Sequence, residues 1–161
     1  MFAIIIMGSP SDEPLARKIA GGLDGFGIPW EMRVASAHKV PHTVLDMLAT
    51  YEADSRPKVY ITIAGRSNAL SGLADAQVSA PVIACPPYSD KFAGSDIYSS
   101  LRLPSGVAPA VILEPEGAAL LAAKMLGLSN PELRQRVRDV QEKQRRRLLE
   151  ADASLRKQGQ K

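Results

Sequence analysis

The hydrophobic positions of the chain fall into short apolar runs separated by amphipathic stretches. The runs cover residues 2–7, 30–34, 59–64, 81–85 and 107–113. The first, Phe2 to Met7, is apolar throughout, which favours a central parallel strand covered on both faces. The second alternates apolar and charged residues from Trp30 to Val34, which predicts a strand at the edge of the sheet.

Helices are predicted between these strands. Apolar residues recur every four positions from Leu15 to Leu23, and Gly25 ends that helix. The next begins at Pro41, and further helices are expected through residues 70–76, 97–103 and 117–126. Residues 88–96 have no periodicity and are expected to form a loop of functional length.

Strands that alternate with helices predict an α/β fold. We expect a single-domain, three-layer sandwich over residues 1–129, with a central parallel sheet of the flavodoxin or Rossmann type. In residues 130–161 a narrow apolar stripe, which includes Leu133, Val137, Val140 and Leu148, predicts a long charged helix. Such a stripe suits packing against the body or a neighbouring subunit.

Composition is that of an ordinary globular protein, with 45% hydrophobic and 23% charged residues. Because Cys85 is the only cysteine, the chain cannot form an intrachain disulfide, which favours a reducing, cytoplasmic location. Cys85 itself is expected to be a buried structural thiol. The apolar start, Phe2 to Met7, is too short for a signal peptide or a membrane span, so no membrane partner is expected.

The positive charge is concentrated at the C-terminus. Residues 131–161 contain ten Lys or Arg and five Asp or Glu, a net charge of +5, whereas residues 1–130 contain ten and twelve, a net charge of −2. Basic tails can bind nucleic acid. This one has no aromatic residue to stack on bases and its arginines alternate with acidic residues, so we expect no nucleic-acid partner.

Three polar turns follow predicted strands: residues 8–12, 36–39 and 65–68. Because ligands of parallel sheets bind at the carboxyl ends of the strands, the three turns are expected to meet around one small molecule. In the first turn Gly8 is expected to let the backbone approach a ligand. Free amides at the following helix start would seat a phosphate, although Ser and Asp there are also ordinary helix caps.

His38 is the candidate proton carrier, because an imidazole titrates near pH 6.5. The alternative is a loop histidine bonded to a carbonyl. His42 lies four residues on, a spacing that can bind metal on a helix, but Pro41 intervenes and no third ligand is near. No metal site is therefore expected, and His42 is interpreted as a helix surface residue.

The remaining turn residues suit a phosphorylated ribose. Ser9, Ser11, Ser36 and Lys39 could hold a phosphomonoester, and Asp12 could accept a ribose hydroxyl. Arg66 beside Ser67 could bind a carboxylate or a CO2-derived oxygen, or could be a surface arginine. The chain has no G-x-G-x-x-G sequence, no Walker A lysine and no G-x-S-x-G elbow, so NAD, ATP and serine-hydrolase chemistry are not indicated.

Two motifs carry a family resemblance. Gly8-Ser9-Pro10-Ser11-Asp12 together with Ser36-Ala37-His38-Lys39 resembles the PurE family of purine biosynthesis, which acts on aminoimidazole ribonucleotide (AIR), over residues 2–128. The residue 64–72 segment, Cys85-Pro86-Pro87 and the residue 99–106 segment look like the class II enzymes of that family. These carboxylate AIR directly with CO2, as in the animal bifunctional enzyme; here the carboxylase is expected to stand alone.

The resemblance implies roles for the turn residues and an assembly. His38 would move the proton at C4 of the substrate imidazole, without ATP, biotin, metal or other cofactor. The family is octameric, which would give residues 88–106 and the tail interface roles. The implied substrate-binding residues, which together line the phosphate, ribose and CO2 positions, are Gly8, Ser9, Ser11, Asp12, Ser36, Ala37, Lys39, Gly65, Arg66 and Ser67.

Two alternatives remain at this point. A class I mutase would consume N5-carboxyaminoimidazole ribonucleotide instead of AIR. A non-catalytic phosphosugar or nucleotide sensor would bind its ligand at the Ser9 turn and tolerate the loss of His38.

Overall fold

The computed structural model describes residues 1–88 and 91–158, and within them the chain forms a five-stranded parallel sheet with helices on both faces. The strands are β1 (Phe2–Met7), β2 (Trp30–Val34), β3 (Lys58–Ile63), β4 (Val82–Ala84) and β5 (Ala110–Val111), in the order β2-β1-β3-β4-β5. The helices are α1 (Glu13–Gly25), α2 (Pro41–Glu52), α3 (Ala69–Asp75), α4 (Tyr98–Leu101), α5 (Pro115–Leu126) and α6 (Pro131–Gln158). Short 3-10 segments cover Pro10–Asp12 and Lys91–Ile97.

The interior strand β1 contributes side chains to two separate cores, one on each face of the sheet. Ala3, Ile5 and Met7 belong to a core shared with α1, α5 and the start of α6. Phe2 and its alternate neighbours belong to a second core with α2 and α3. The fully apolar β1 sequence is explained by burial on both faces, and the predicted three-layer α/β sandwich is confirmed.

Helices α1 and α5 approach each other closely at one glycine. A Cβ atom added at Gly22 would lie 2.6 Å from the Ala119 Cβ, which is shorter than any real contact of this kind. Gly22 therefore lets the two helices pack side by side over β1 and β3. This packing fixes the position of α1 on the sheet, and with it the position of the turn that precedes α1.

Two predicted elements differ from the structure. The fifth strand was expected over residues 107–113, but β5 covers only Ala110–Val111. Pro109 has no N–H for a sheet hydrogen bond, and the Ala108 N–H instead donates to Asp75 Oδ2 at 2.7 Å. The loop expected at 88–96 overlaps the 3-10 segment Lys91–Ile97, and its residues 89–90 lie outside the described residues.

The long helix α6 packs on the body only through its first part. Leu133 and Val137 are buried in the core with α1 and α5, whereas Leu148, Leu149 and Leu155 are 72%, 71% and 68% exposed. The edge position of β2 and the long C-terminal helix agree with the prediction. Among the described residues, no helix is both long and apolar enough to cross a membrane.

Candidate functional site

A pocket of about 540 Å³ lies at the carboxyl edge of the sheet, where the turns after β1, β2 and β3 meet. All eleven residues predicted for the site line it. Four residues of the lining were not predicted: Ala64, Leu70, Pro87 and Asp96. The spatial convergence expected at the carboxyl ends of parallel strands is therefore present, and the pocket has the size of a small-molecule site.

The turn after β1 is a capping box. The Ser9 side chain accepts from the Ser11 N–H at 3.3 Å, and the Asp12 carboxylate accepts from the Ser9 N–H at 3.1 Å. The Asp12 N–H donates to the Ser9 carbonyl at 3.1 Å, and Pro10 has no N–H. The expectation of free amide donors for a phosphate is therefore wrong for these residues, because the turn uses them itself.

What the same turn offers to a ligand is hydroxyls. Ser9 Oγ and Ser11 Oγ lie 2.8 Å apart, so a single phosphate oxygen can meet both. Gly8 has no positive φ, and a Cβ atom added there would make an ordinary contact of 3.5 Å with Ala64. The backbone conformation at position 8 therefore does not by itself require a glycine.

Asp12 is half-buried at the entrance to α1. Burial raises the pKa of its carboxyl, and the hydrogen bond from the Ser9 N–H partly offsets this. One oxygen, Oδ2, is occupied by that hydrogen bond. The carboxyl can still accept a further hydroxyl hydrogen bond, as the ribose role requires.

The turn after β2 presents the candidate proton carrier. The Ala35 N–H donates to the Met7 carbonyl at 2.9 Å, which ties the end of β2 to the end of β1. The Ser36 carbonyl then accepts from Lys39 N–H at 3.2 Å and Val40 N–H at 2.9 Å, which closes a turn that carries His38. His38 and Lys39 are exposed along the pocket wall, so an imidazole and an ammonium face the same volume as the serine pair.

The turn after β3 is held in an unusual conformation. Arg66 has a φ of 60°, in the left-handed region that is costly for residues with a Cβ. A Cβ atom added at Gly65 would lie 2.8 Å from Pro87 Cγ, so the β3 turn and the residues after β4 are in close contact. The Arg66 guanidinium is exposed at the pocket and available for an anionic group.

A set of hydrogen bonds from α4 supports this turn. The Asn68 N–H donates to Ser99 Oγ at 2.9 Å, and the Ser99 hydroxyl is shared between the Asp96 carbonyl at 2.8 Å and the Arg66 carbonyl at 3.3 Å. The buried Asn68 side chain caps α3 by accepting from the Ser71 N–H at 3.1 Å. These contacts explain why the strained Arg66 conformation persists, and sequence periodicity had no way to indicate them.

Several candidates lie outside the pocket. His42 is exposed on α2 and does not line the pocket, in line with its interpretation as a surface residue. Cys85 is buried, and desolvation, with smaller contributions from Glu114 and Glu116, raises the pKa of its thiol to about 12. Within residues 1–88 and 91–158, no group of three or more His, Cys, Asp or Glu side chains could hold a metal ion.

The fold and the pocket define the class: a parallel α/β protein with a polar, small-molecule pocket where three strand-end turns meet. The family model described as AIR carboxylase matches residues 3–147. The chain belongs to the AIR carboxylase family, a family of purine-biosynthesis enzymes.

Full-length relatives are closely similar to the whole chain. The phosphoribosylaminoimidazole carboxylase of Treponema denticola is 53% identical over 154 residues, which cover 96% of this chain and 97% of that protein. That of Archaeoglobus fulgidus is 54% identical over 156 residues, covering 97% and 86%. The crystal structure of Treponema denticola PurE has a TM-score of 0.94 and 53% identity, and the match covers 96% of this chain and 98% of that one.

The animal relatives are larger proteins. The human bifunctional phosphoribosylaminoimidazole carboxylase/phosphoribosylaminoimidazole succinocarboxamide synthetase is 46% identical over 127 residues, which cover 79% of this chain and 30% of that protein. The present chain thus corresponds to less than a third of the bifunctional protein.

Proposed function

We propose that this chain carboxylates AIR at C4 of the imidazole with CO2 to give 4-carboxyaminoimidazole ribonucleotide, without ATP or biotin. The observation that carries the proposal is the meeting of the His38, Ser9 and Arg66 turns in one pocket. The names of the Treponema and Archaeoglobus relatives support the same activity.

The pocket residues divide between the two ends of such a substrate. The phosphate is held by the hydroxyls of Ser9 and Ser11 together with Ser36 and Lys39. Asp12 accepts a hydrogen bond from a ribose hydroxyl. Gly65, Arg66 and Ser67 line the CO2 end. The phosphate contacts supply binding energy and position C4, and positioning of this kind accounts for much of the barrier reduction.

The reaction requires one proton transfer from carbon. The substrate amino group makes C4 nucleophilic, C4 bonds to CO2, and the adduct loses aromaticity until its C4 proton is removed. His38 takes that proton and restores the ring. General acid–base catalysis of this type supplies roughly 10²- to 10⁴-fold, or about 3–5 kcal/mol of barrier.

Direct carboxylation, rather than the mutase reaction, is favoured by the loop sequences and by the animal relatives. The segment Ala64-Gly65-Arg66-Ser67-Asn68 and the residue 99–106 segment resemble class II enzymes. At 46% identity, the human bifunctional protein is named as a carboxylase.

Offering the two substrates separately tests the proposal. Purified protein is given AIR with bicarbonate, without ATP, and in a parallel reaction N5-carboxyaminoimidazole ribonucleotide. We expect formation of 4-carboxyaminoimidazole ribonucleotide from AIR, with ¹³C from dissolved CO2 in the product carboxylate. Consumption of the N5-carboxy compound alone would assign the mutase reaction, and binding without turnover of either would assign a sensor.

The same proposal includes a homo-octamer in which residues 88–106 and α6 contact neighbouring subunits. The exposed leucines at positions 148, 149 and 155 of α6 support it, because such side chains gain by burial between subunits. Light scattering is expected to give a mass eight times 17.3 kDa. A monomer mass at micromolar concentration would contradict it.

A further inference from the structure

We propose that Asp96 is a further catalytic residue, whose carboxylate accepts a hydrogen bond from the exocyclic amino group of AIR and stabilises the cation that forms there during carboxylation. This inference rests on the proposed function and assigns a role at the same site to a residue that no motif indicated.

Asp96 is an unsatisfied acid at the pocket wall. The residue lines the pocket, and its Oδ2 is shielded from solvent with no hydrogen-bond partner among the described residues. Burying a carboxylate oxygen without a donor is unfavourable, and such groups in folded proteins call for an explanation. A donor on the substrate would satisfy it.

The position of Asp96 is fixed relative to the CO2 end. The Ser99 hydroxyl contacts the Asp96 carbonyl at 2.8 Å and the Arg66 carbonyl at 3.3 Å, so the two residues are joined through one side chain. Pro87, which also lines the pocket, contacts Gly65. Asp96 therefore lies beside the turn that the proposed function assigns to CO2, and on the substrate the amino-bearing C5 is bonded to C4.

Anionic acceptors are scarce in this pocket. Lys39 and Arg66 can only donate, whereas the serine hydroxyls and His38 are neutral acceptors at most. Asp12 and Asp96 are the carboxylates among the described residues of the lining, and one oxygen of Asp12 is already engaged by the Ser9 N–H. An amino group has only donors to offer once its lone pair enters the ring, so it requires an acceptor such as Asp96.

The chemistry gives this contact a larger effect in the transition state than in the ground state. As the amino lone pair moves into a C5=N bond, the C4=C5 pair of the ring forms the C4–CO2 bond and one C=O pair of CO2 moves to its oxygen. The amino group becomes an iminium cation. When His38 removes the C4 proton, the C4–H electron pair re-forms the ring C4=C5 bond, the C5=N pair returns to the nitrogen, and the amino group is neutral again. A carboxylate beside the nitrogen stabilises the charged stage selectively.

The test compares Asp96→Asn with a matched control, Asp46→Asn, which makes the same change on the exposed face of α2. We expect kcat/KM for AIR to fall about a hundredfold in Asp96→Asn, by analogy with the loss of one transition-state hydrogen bond, and to stay at the wild-type value in the control. Ribose 5-phosphate affinity should be unchanged in both. Turnover within threefold of wild type, or an equal loss of ribose 5-phosphate affinity, would overturn the role of Asp96.

A binding measurement covers the case in which Asp96→Asn does not fold. Calorimetry compares AIR with the imidazole ribonucleotide that lacks the amino group. We expect wild type to bind AIR at least tenfold more tightly than the ligand without the amino group, a result that does not depend on the variant. Equal affinity for the two ligands in wild type would overturn the inference. Absence of AIR turnover in wild type would instead count against the proposed function, so the two failures are distinguishable.

Discussion

The side-chain amide of Asn68 donates a hydrogen bond of 2.9 Å to the hydroxyl of Ser100, and both residues are buried. The contact joins two segments more than thirty positions apart. Through it the helix that follows the 3-10 segment at 91–97 holds the Arg66 turn at the pocket.

The Asn68–Ser100 pair is expected to show coupled stability. Ser100→Ala leaves a buried amide without an acceptor, and Asn68→Ala also removes the α3 cap, so each should lower the free energy of unfolding by about 1–3 kcal/mol. The double variant should lose at least about 0.5 kcal/mol less than the sum. Urea unfolding measures this, with the exposed Ser105→Ala as control; strict additivity would contradict the coupling.

Arg66 is expected to trade stability for function. Arg66→Gly relieves the positive φ and should raise the free energy of unfolding by up to about 1 kcal/mol, whereas Arg66→Ala keeps the unfavourable conformation and should not. Both variants lose the guanidinium and should turn over AIR poorly. Thermal unfolding and steady-state kinetics check the two effects. A glycine variant no more stable than the alanine variant would show that the turn is not strained.

His38→Asn is expected to reduce kcat by about 10²- to 10⁴-fold with the fold retained, because the amide cannot take the C4 proton. His42→Asn is the matched control, since that histidine is exposed on α2 outside the pocket. Product formation from AIR and bicarbonate is the measurement, with circular dichroism to verify folding. An active His38→Asn would refute the assigned proton role.

A cluster away from the pocket predicts a pH effect on stability. Burial by itself raises the pKa of Glu52, but hydrogen bonds from the Ser79 N–H and hydroxyl and from Tyr60 outweigh it, so the pKa lies below its usual value. A carboxyl with a lowered pKa stabilises the fold above its unfolded pKa, about 4.3, and loses this contribution as the pH falls through the folded pKa.

Glu52→Gln should therefore be less stable than wild type at pH 7, and the difference should shrink as the pH falls below about 4. Urea midpoints across this range give the measurement. A stability difference that does not depend on pH would show that the charge of Glu52 contributes nothing.

Cys85 is expected to be unreactive in the native protein. Its thiol is buried, and desolvation, followed by Glu114 and Glu116, raises its pKa to about 12, so the thiolate is negligible at neutral pH. Ellman's reagent should label it only after addition of guanidinium chloride. Rapid labelling of the folded protein would show that the strand end near Cys85 opens.

Strands and helices could be predicted from the sequence where the local pattern of apolar and polar residues determines them. The fully apolar run of β1 indicated a strand buried on both faces, and the alternating pattern of β2 indicated a strand buried on one face. Because the strands are parallel, the three turns that follow them lie at one edge of the sheet. For β5 the same reasoning overestimated the strand, because Pro109 removes a donor and the Ala108 N–H bonds to Asp75.

The candidate site could likewise be predicted from the sequence only in part. By itself the sequence determined which residues the strand-end turns present, among them Ser9, His38 and Arg66, because the positions of strands and turns along the chain are set by short-range patterns. Only the tertiary structure decided that the Ser9 turn uses its own amides, that Arg66 is held at positive φ, and that Asp96 joins the pocket. These depend on hydrogen bonds and packing between distant segments, which no local pattern of polar and apolar residues encodes.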